Sequence, residues 1–221
     1  MILYSTEFCP FCHSCRLVLA AKALDYDHVP LDLDRKASFP EKLSPYRHVP
    51  VLVHQGRQIF ESSIINEYLE EVFGDPPLLP VEPAARADVR FWVDFVQSRL
   101  VPAYFNLMNS DDPAHWPELV DRLGNWFRFL EKRAFKNTWI SGDHISLADF
   151  GLYPWIERFV SAERYRGASI PEDCVALAEW IKVMKALPAV SACAKTEQQY
   201  VAFFDRYWRP LPPHRSGTHD V

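Results

Sequence analysis

The 221-residue sequence contains no apolar run approaching the roughly 18 residues that a membrane-crossing helix requires. A helical membrane anchor is therefore not expected. Lysine and arginine total 24 against 29 acidic residues, a formal net charge of −5, and they form no basic face of the kind that tracks a phosphate backbone. Nucleic acid is not an expected partner. Cysteine is sparse and odd in number, five in all, which fits no closed disulfide framework. The opening Met1-Ile-Leu-Tyr-Ser5 reads as a strand, where a secretory signal would show a charged segment followed by an apolar one. The expectation is a cytoplasmic protein with reduced thiols. No internal repeat is visible. With 48% hydrophobic and 24% charged residues, the chain has an ordinary globular composition and room for one large or two small domains.

What is present is a concentration of thiols near one end, Cys9-Pro-Phe-Cys12-His-Ser-Cys15, placed between that strand and the helical stretch Arg16-Leu-Val-Leu-Ala-Ala21. Proline is tolerated at the first helical position because its missing N–H would have no partner there, so Pro10 in that position makes Cys9 the N-cap. A thiolate at Cys9 faces unpaired amides and the positive end of the helix, a setting that lowers a thiol pKa. Cys9 is the candidate nucleophile. Cys12 lies close enough across the first turn to form a disulfide with it. Cys15 extends the spacing and admits a metal or iron–sulfur reading. A tetrahedral site wants four ligands, however, and Cys174 and Cys193 stand without Cys or His at ligand spacing, so no metal site is assigned. Buried cysteines acting as small apolar side chains are the third reading. It suits Cys15, and extends to Cys12, but leaves the position of Pro10 unexplained.

The chain changes character near Phe73-Gly-Asp-Pro-Pro-Leu-Leu-Pro80. Before it, a strand at Ile2–Tyr4, a helix to about Ala23 and a strand over His28–Leu33 form a βαβ unit. Val49–Val53, a turn at His54-Gln-Gly-Arg57 and Gln58–Phe60 read as a hairpin, after which Ile64, Ile65, Tyr68, Leu69 and Val72 recur at helical spacing. The order βαβ-ββα is that of a thioredoxin-like domain. Beyond Pro83 the periodicity is helical almost throughout, with aromatics such as Trp92, Phe95, Trp126, Phe127 and Trp180 on core-facing positions. Ser146-Leu-Ala-Asp149 is a capping box that starts one of these helices. The fold class is thus α/β plus all-α: residues 1–75 a thioredoxin-like domain, 76–83 a linker, 84–208 an all-helical domain and 209–221 a flexible tail.

The Cys-Pro-Phe motif, Val-Pro ahead of a strand, Glu-Ser opening the next helix, the Pro-rich linker and the Ser-Leu-Ala-Asp-Phe helix start together resemble the glutathione transferase superfamily. The match runs from Met1 to about Trp208. Cys9-Pro-Phe11 is similar to the cysteine-bearing omega class and its bacterial relatives. Pro-Pro-Leu-Leu-Pro-Val-Glu-Pro is similar to stringent starvation protein A, and the Cys-x-x-Cys form to glutaredoxin 2.

The resemblance implies a glutathione site. Val49-Pro50 matches the family's cis-proline segment, so the Val49 backbone is expected to pair with the cysteinyl part of glutathione as an added strand. Glu61 and Ser62 match the pair that receives the γ-glutamyl end. Lys36 matches the lysine that reaches the glycyl carboxylate, with Arg35 as a substitute, and Phe11 is expected to pack beside the tripeptide. The loop Ser44-Pro-Tyr-Arg-His48 departs from the family's Asn-Pro-x-Gly, and Cys12 replaces a small residue. The implied activity is a glutathione-dependent thiol transferase: thioltransferase, dehydroascorbate reductase or deglutathionylating enzyme, with Cys9 forming a mixed disulfide. Two alternatives stay open. One is a glutaredoxin-like dithiol reductase using Cys9 and Cys12; the other is a non-enzymatic RNA polymerase-binding regulator. Glutathione is the expected cosubstrate. A small hydrophobic or disulfide-containing second substrate is expected between the domains, against Phe11 and aromatics such as Tyr104 or Phe105. A two-fold homodimer is the expected assembly.

Overall fold

The computed structural model describes residues 1–31, 43–45, 47–135 and 137–207. Its first part is a four-stranded sheet: β1 (Ile2–Ser5), β2 (Asp27–Pro30), β3 (Val51–His54) and β4 (Arg57–Phe60), in the spatial order β2-β1-β3-β4. β1 pairs parallel with β2, Leu3 opposite His28, and antiparallel with β3, Leu3 opposite Leu52. The parallel pair requires a crossover, which α1 (Pro10–Ala21) supplies. β3 and β4 close a tight hairpin, His54 opposite Arg57, in which Gln55 and Gly56 both take positive φ, 50° and 75°. Those signs at both central positions suit the right-handed twist of the flanking strands. α2 (Ser62–Val72) follows the hairpin.

β2 is shorter than the alternation of apolar residues suggests. It ends at Pro30, opposite the last residue of β1, and residues 32 and 33 lie outside the described residues. α1 also stops early, at Ala21, and Ala23 takes a positive φ of 51°.

From Pro83 onward the chain is helical. α3 (Pro83–Phe95) runs through a wider turn at Val96–Leu100 into α4 (Val101–Met108). Then come α5 (Trp116–Arg133), α6 (Leu147–Arg158), α7 (Val160–Arg166), α8 (Val175–Lys185), α9 (Pro188–Cys193) and α10 (Glu197–Tyr207). α6 begins with the capping box read from the sequence: Asp149 Oδ2 accepts from the Ser146 amide at 2.8 Å, and Ser146 Oγ accepts from the Ala148 amide. Asp149 is also a core hub. Its Oδ1 accepts from the Ile140 amide at 3.0 Å and from Trp180 Nε1 at 2.8 Å, so one carboxylate ties α6, the segment before it and α8 together.

The two parts share a core. One apolar cluster runs from Leu3, Leu17 and Leu52 through Trp92 and Phe127 to Tyr153 and Trp180. α1 is buried along nearly its whole length because it packs on α2 on one side and on α6 and α9 on the other. Among the described residues no helix is long and apolar enough to cross a membrane.

Candidate active site

Cys9 caps α1 in an extended conformation, φ −76° and ψ 120°, with Pro10 at the first helical position and the Cys9 carbonyl accepting from the His13 amide at 2.9 Å. Its thiol is held down from the ordinary 9.0 to about 7. The largest cause is a hydrogen bond from the Cys12 thiol; burial opposes it, and the amides of Cys12 and Phe11 and the charge of Arg158 add to the lowering. Helix-end amides thus contribute as the placement of Pro10 predicts, but a neighbouring side chain contributes more. Cys12 is fully buried and is pushed well above 9.0, first by burial and then by its partner thiol. It remains a protonated donor. Cys15 is fully buried as well, its pKa raised by burial, and it donates weakly to the Ser62 carbonyl across 3.7 Å.

The loop leading to Cys9 is wrapped by two guanidinium groups. Arg16 of α1 donates to the Thr6 carbonyl at 3.1 Å and to the Glu7 carbonyl at 2.9 Å; Arg158, the last residue of α6, donates to the Phe8 carbonyl at 2.8 Å. Three consecutive carbonyls are therefore anchored immediately before the thiol. Sequence reasoning missed both arginines. The available signal for Arg16 was a charge set between Cys15 and Leu17 in an otherwise apolar stretch, and the structure buries it to 8% exposure. For Arg158 there was no local signal.

Cys9 opens into a cleft of about 370 Å³ whose walls carry Phe11, Val49, Pro50, Glu61 and Ser62. Five residues assigned from the resemblance thus meet around one thiol. Val49–Pro50 is a cis peptide, and Val49 lies just ahead of β3, beyond the last rung it makes with β1 and β4. Glu61 caps α2 with φ 63° and no side-chain cap, leaving its carboxylate to the cleft, while Ser62 is the buried first residue of the helix. The amides at that helix start precede the first intrahelical bond, from Ile65 to the Glu61 carbonyl, and are the part of α2 suited to an anion. Arg47, in the left-handed region at φ 53°, and His48 complete the rim. Lys36, Arg35 and Tyr46 lie outside the described residues.

Beside this cleft, on the far side of Phe11, a narrow hollow between α1, α2, α3 and α6 holds about 20 Å³, room for about one water. It is lined by Ser14, Asn66, Val93, Val96 and Trp155 among others. Asn66 Nδ2 donates to Ser14 Oγ at 2.8 Å, while its buried Oδ1 has no partner among the described residues. The aromatic beside Phe11 is Trp155, edge-on at 5.2 Å. This corrects the expectation for Tyr104 and Phe105. Tyr104 is 1% exposed, its hydroxyl bonded to Ser161 Oγ at 2.6 Å and accepting from Arg158, and Phe105 packs behind Trp155. Among the described residues, no cluster of His, Cys, Asp or Glu is arranged to hold a metal.

A thioredoxin-like sheet with an all-helical domain packed on α1, and a cleft at the start of that helix, is the architecture of two-domain glutathione-handling proteins. Residues 3–77 match the glutathione S-transferase N-terminal domain model, and residues 113–182 match the C-terminal domain model. The chain is similar to glutathione S-transferase omega-1 of Sus scrofa, 30% identical over 217 residues that cover 95% of this chain and 87% of that one. It is also similar to the probable glutathione S-transferase GSTU1 of rice, 31% identical over 208 residues, covering 86% and 90%. Among solved structures, glutathione transferase Omega 3C of Trametes versicolor superposes with a TM-score of 0.80 at 26% identity, covering 93% of this chain and 90% of that one. Rice GST1 (OsGSTU1), solved in complex with glutathione, gives 0.83 at 28% identity, covering 92% and 96%. The chain belongs to the glutathione transferase superfamily, and its activity is that of a glutathione-dependent transferase.

Proposed function

We propose that the enzyme is a glutathione-dependent thiol transferase that works through Cys9. The observation that carries this reading is a thiol lowered to about 7 at the mouth of a cleft, with the Cys12 thiol that bonds it buried and kept protonated. At neutral pH about half of such a thiol is ionised, and the thiolate is the nucleophile. The Cys9 thiolate attacks the glutathionyl sulfur of a mixed disulfide, forming Cys9–S–S–glutathione and releasing the other partner as a thiolate. A second glutathione thiolate then attacks the glutathionyl sulfur, forming glutathione disulfide and returning the Cys9 thiolate. Electrons and sulfur balance with glutathione as the sole reductant. Thioltransfer and deglutathionylation share these steps and differ in the partner released. Dehydroascorbate reduction shares only the second. There the Cys9 thiolate first adds to a carbonyl carbon, and a glutathione thiolate attacks the Cys9 sulfur, forming Cys9–S–S–glutathione as the carbon–sulfur bond breaks and its electron pair leaves with ascorbate.

Glutathione lies along the cleft in this reading. The Val49 backbone pairs with the cysteinyl unit; the α2 amides and Ser62 take the γ-glutamyl carboxylate, Glu61 takes the α-ammonium, and Phe11 covers the peptide. The resemblance assigns the glycyl carboxylate to Lys36. The relatives' names, omega-class transferases among them, support the assignment of the tripeptide. Residues 1–75 and 84–208 act as the two domains, and the working form is a two-fold homodimer in the cytoplasm.

The burial of Cys12 disfavours the dithiol route, which needs that sulfur to attack the mixed disulfide. Mass spectrometry after incubation with glutathione disulfide tests the choice. A single glutathione adduct on wild type and Cys12→Ser, lost in Cys9→Ser, supports the monothiol route. An internal Cys9–Cys12 disulfide with no adduct rejects it.

A further inference from the structure

We propose that Arg158 is a positioning residue for the Cys9 reaction: from the helical domain it fixes the peptide that carries the thiol and adds a permanent positive charge to the field around it. This rests on the reading of Cys9 as nucleophile. Arg158 ends α6, whose start is pinned by Asp149, so the guanidinium is delivered from a helix anchored at its other end. Its Nη1 donates to the Phe8 carbonyl at 2.8 Å, and that carbonyl belongs to the peptide whose nitrogen is the Cys9 amide. Its Nε donates to Tyr104 Oη at 3.1 Å, and Tyr104 is itself locked to Ser161 at 2.6 Å. The guanidinium plane also sits over the Phe204 ring, 4.7 Å from its centroid.

α10 completes the hold. Phe8 stacks on Phe203 with ring centroids 4.5 Å apart and meets Tyr200 edge-on at 5.6 Å. The residue before the nucleophile is thus gripped at its backbone by α6 and at its side chain by α10. A planar, five-donor cation can bond two acceptors in different directions while lying on an aromatic face, which a lysine ammonium cannot reproduce. A cation beside a thiol also favours the thiolate. Other groups facing Cys9 are the Cys12 and Cys15 thiols on its own helix and Arg47, His48 and Glu61 across the cleft. Behind Arg158 stand Glu157 and Tyr200, bonded to each other at 3.1 Å.

The test uses the full chain with Arg158→Met and Arg158→Lys. Iodoacetamide alkylation of Cys9 is followed by mass spectrometry across pH, beside turnover of a glutathione mixed disulfide. Arg158→Met is expected to move the alkylation midpoint upward by about half to one pH unit and to slow alkylation at pH 6.5 by about three- to tenfold. Arg158→Lys is expected to keep the wild-type midpoint yet lose about three- to tenfold in kcat with little change in KM, because the charge stays and the double anchor goes. An unmoved midpoint in Arg158→Met, or wild-type turnover in Arg158→Lys, overturns the proposal. If the Met variant fails to fold, the Lys variant still decides. Alkylation reads the thiol whether or not it is catalytic, so turnover surviving in Cys9→Ser would reject the nucleophile assignment without touching this measurement.

Discussion

Lys22 and Glu70 form an ion pair of 2.6 Å in the crook where the sheet domain hands over to the helices, with the Lys22 side chain fully buried. Each also bonds the backbone of the connecting segment. Lys22 Nζ donates to the Phe73 and Pro76 carbonyls at 2.7 and 2.8 Å, and Glu70 accepts from the Leu78 and Leu79 amides at 3.0 Å. The Pro-rich segment between the two domains is therefore pinned through one buried pair. Removing either charge leaves the other uncompensated, which costs about 3–5 kcal/mol. Lys22→Met and Glu70→Gln are expected to lose stability in that range by urea denaturation. The double variant should fall short of the sum of the singles, and strict additivity would sink the idea of a coupled pair.

The acidity of Cys9 makes two measurable demands. Alkylation of wild type is expected to rise through a midpoint near 7, and Cys12→Ala should move that midpoint upward while Cys12→Ser, which keeps a donor, moves it less. Stability should follow in a definite sense. A thiol lowered in the folded state from 9.0 to about 7 contributes stability that is complete above 9.0 and is lost as pH falls through about 7. The full span corresponds to about 3 kcal/mol. Chemical denaturation of wild type against Cys9→Ser at pH 6.5 and 9 should therefore diverge toward the alkaline end.

Much of this was readable where the controlling interaction is local. Pro10 fixes Cys9 as a cap because the rule concerns adjacent residues, and Ser146 with Asp149 announces a helix start for the same reason. The Gln55-Gly56 turn is likewise set by its own dihedrals. What the sequence hid is what crosses the chain. The bond from Arg158 to Phe8 joins residues 150 positions apart, and helical periodicity marks α6 as core-facing without saying which residue its last side chain meets. The same limit explains the exchange of Trp155 for Tyr104 beside Phe11: both lie on apolar faces, and only packing decides that Tyr104 is spent on Ser161 and Arg158. Asp149 shows the limit within one residue. Its capping role is legible from Ser146, but its bond to Trp180 is not.

That double duty sets an order of costs. Asp149→Ala strands the amides of Ile140 and Ser146 and the Trp180 indole N–H in the core, and each buried unsatisfied donor costs about 1–3 kcal/mol. A loss of about 4 kcal/mol or more is expected by thermal or urea unfolding. Ser146→Ala removes the cap, about 1 kcal/mol, together with one of the donors to Asp149, and Trp180→Phe removes one donor and opens a cavity in the core. Equal losses in Asp149→Ala and Ser146→Ala would show that the core bonds contribute nothing beyond the cap.

His13 follows Cys12 on α1 and points into the contact with α6, where its ring is 2% exposed and neither nitrogen has a hydrogen-bond partner among the described residues. Glu157 approaches to 3.8 Å, too far to bond. Burial first, and then the positive charges of Arg16 and Lys195, hold the imidazole pKa down from 6.5 to about 3. The folded protein thus keeps this ring neutral at pH values where the unfolded chain protonates it. The contribution to stability is complete above 6.5 and drains away as pH falls toward 3, with a full span of about 5 kcal/mol. His13→Leu removes both the titration and two unpaired buried nitrogens, so it should be neutral or stabilising at pH 7.5. The variant and wild type share every other titrating group, and those cancel in the difference between them. Melting temperatures measured from pH 7.5 to 4.5 are expected to separate steadily in favour of the variant below 6.5. Parallel curves would mean that the His13 ring reaches water or a partner when it protonates, and the account of a sealed imidazole would fail.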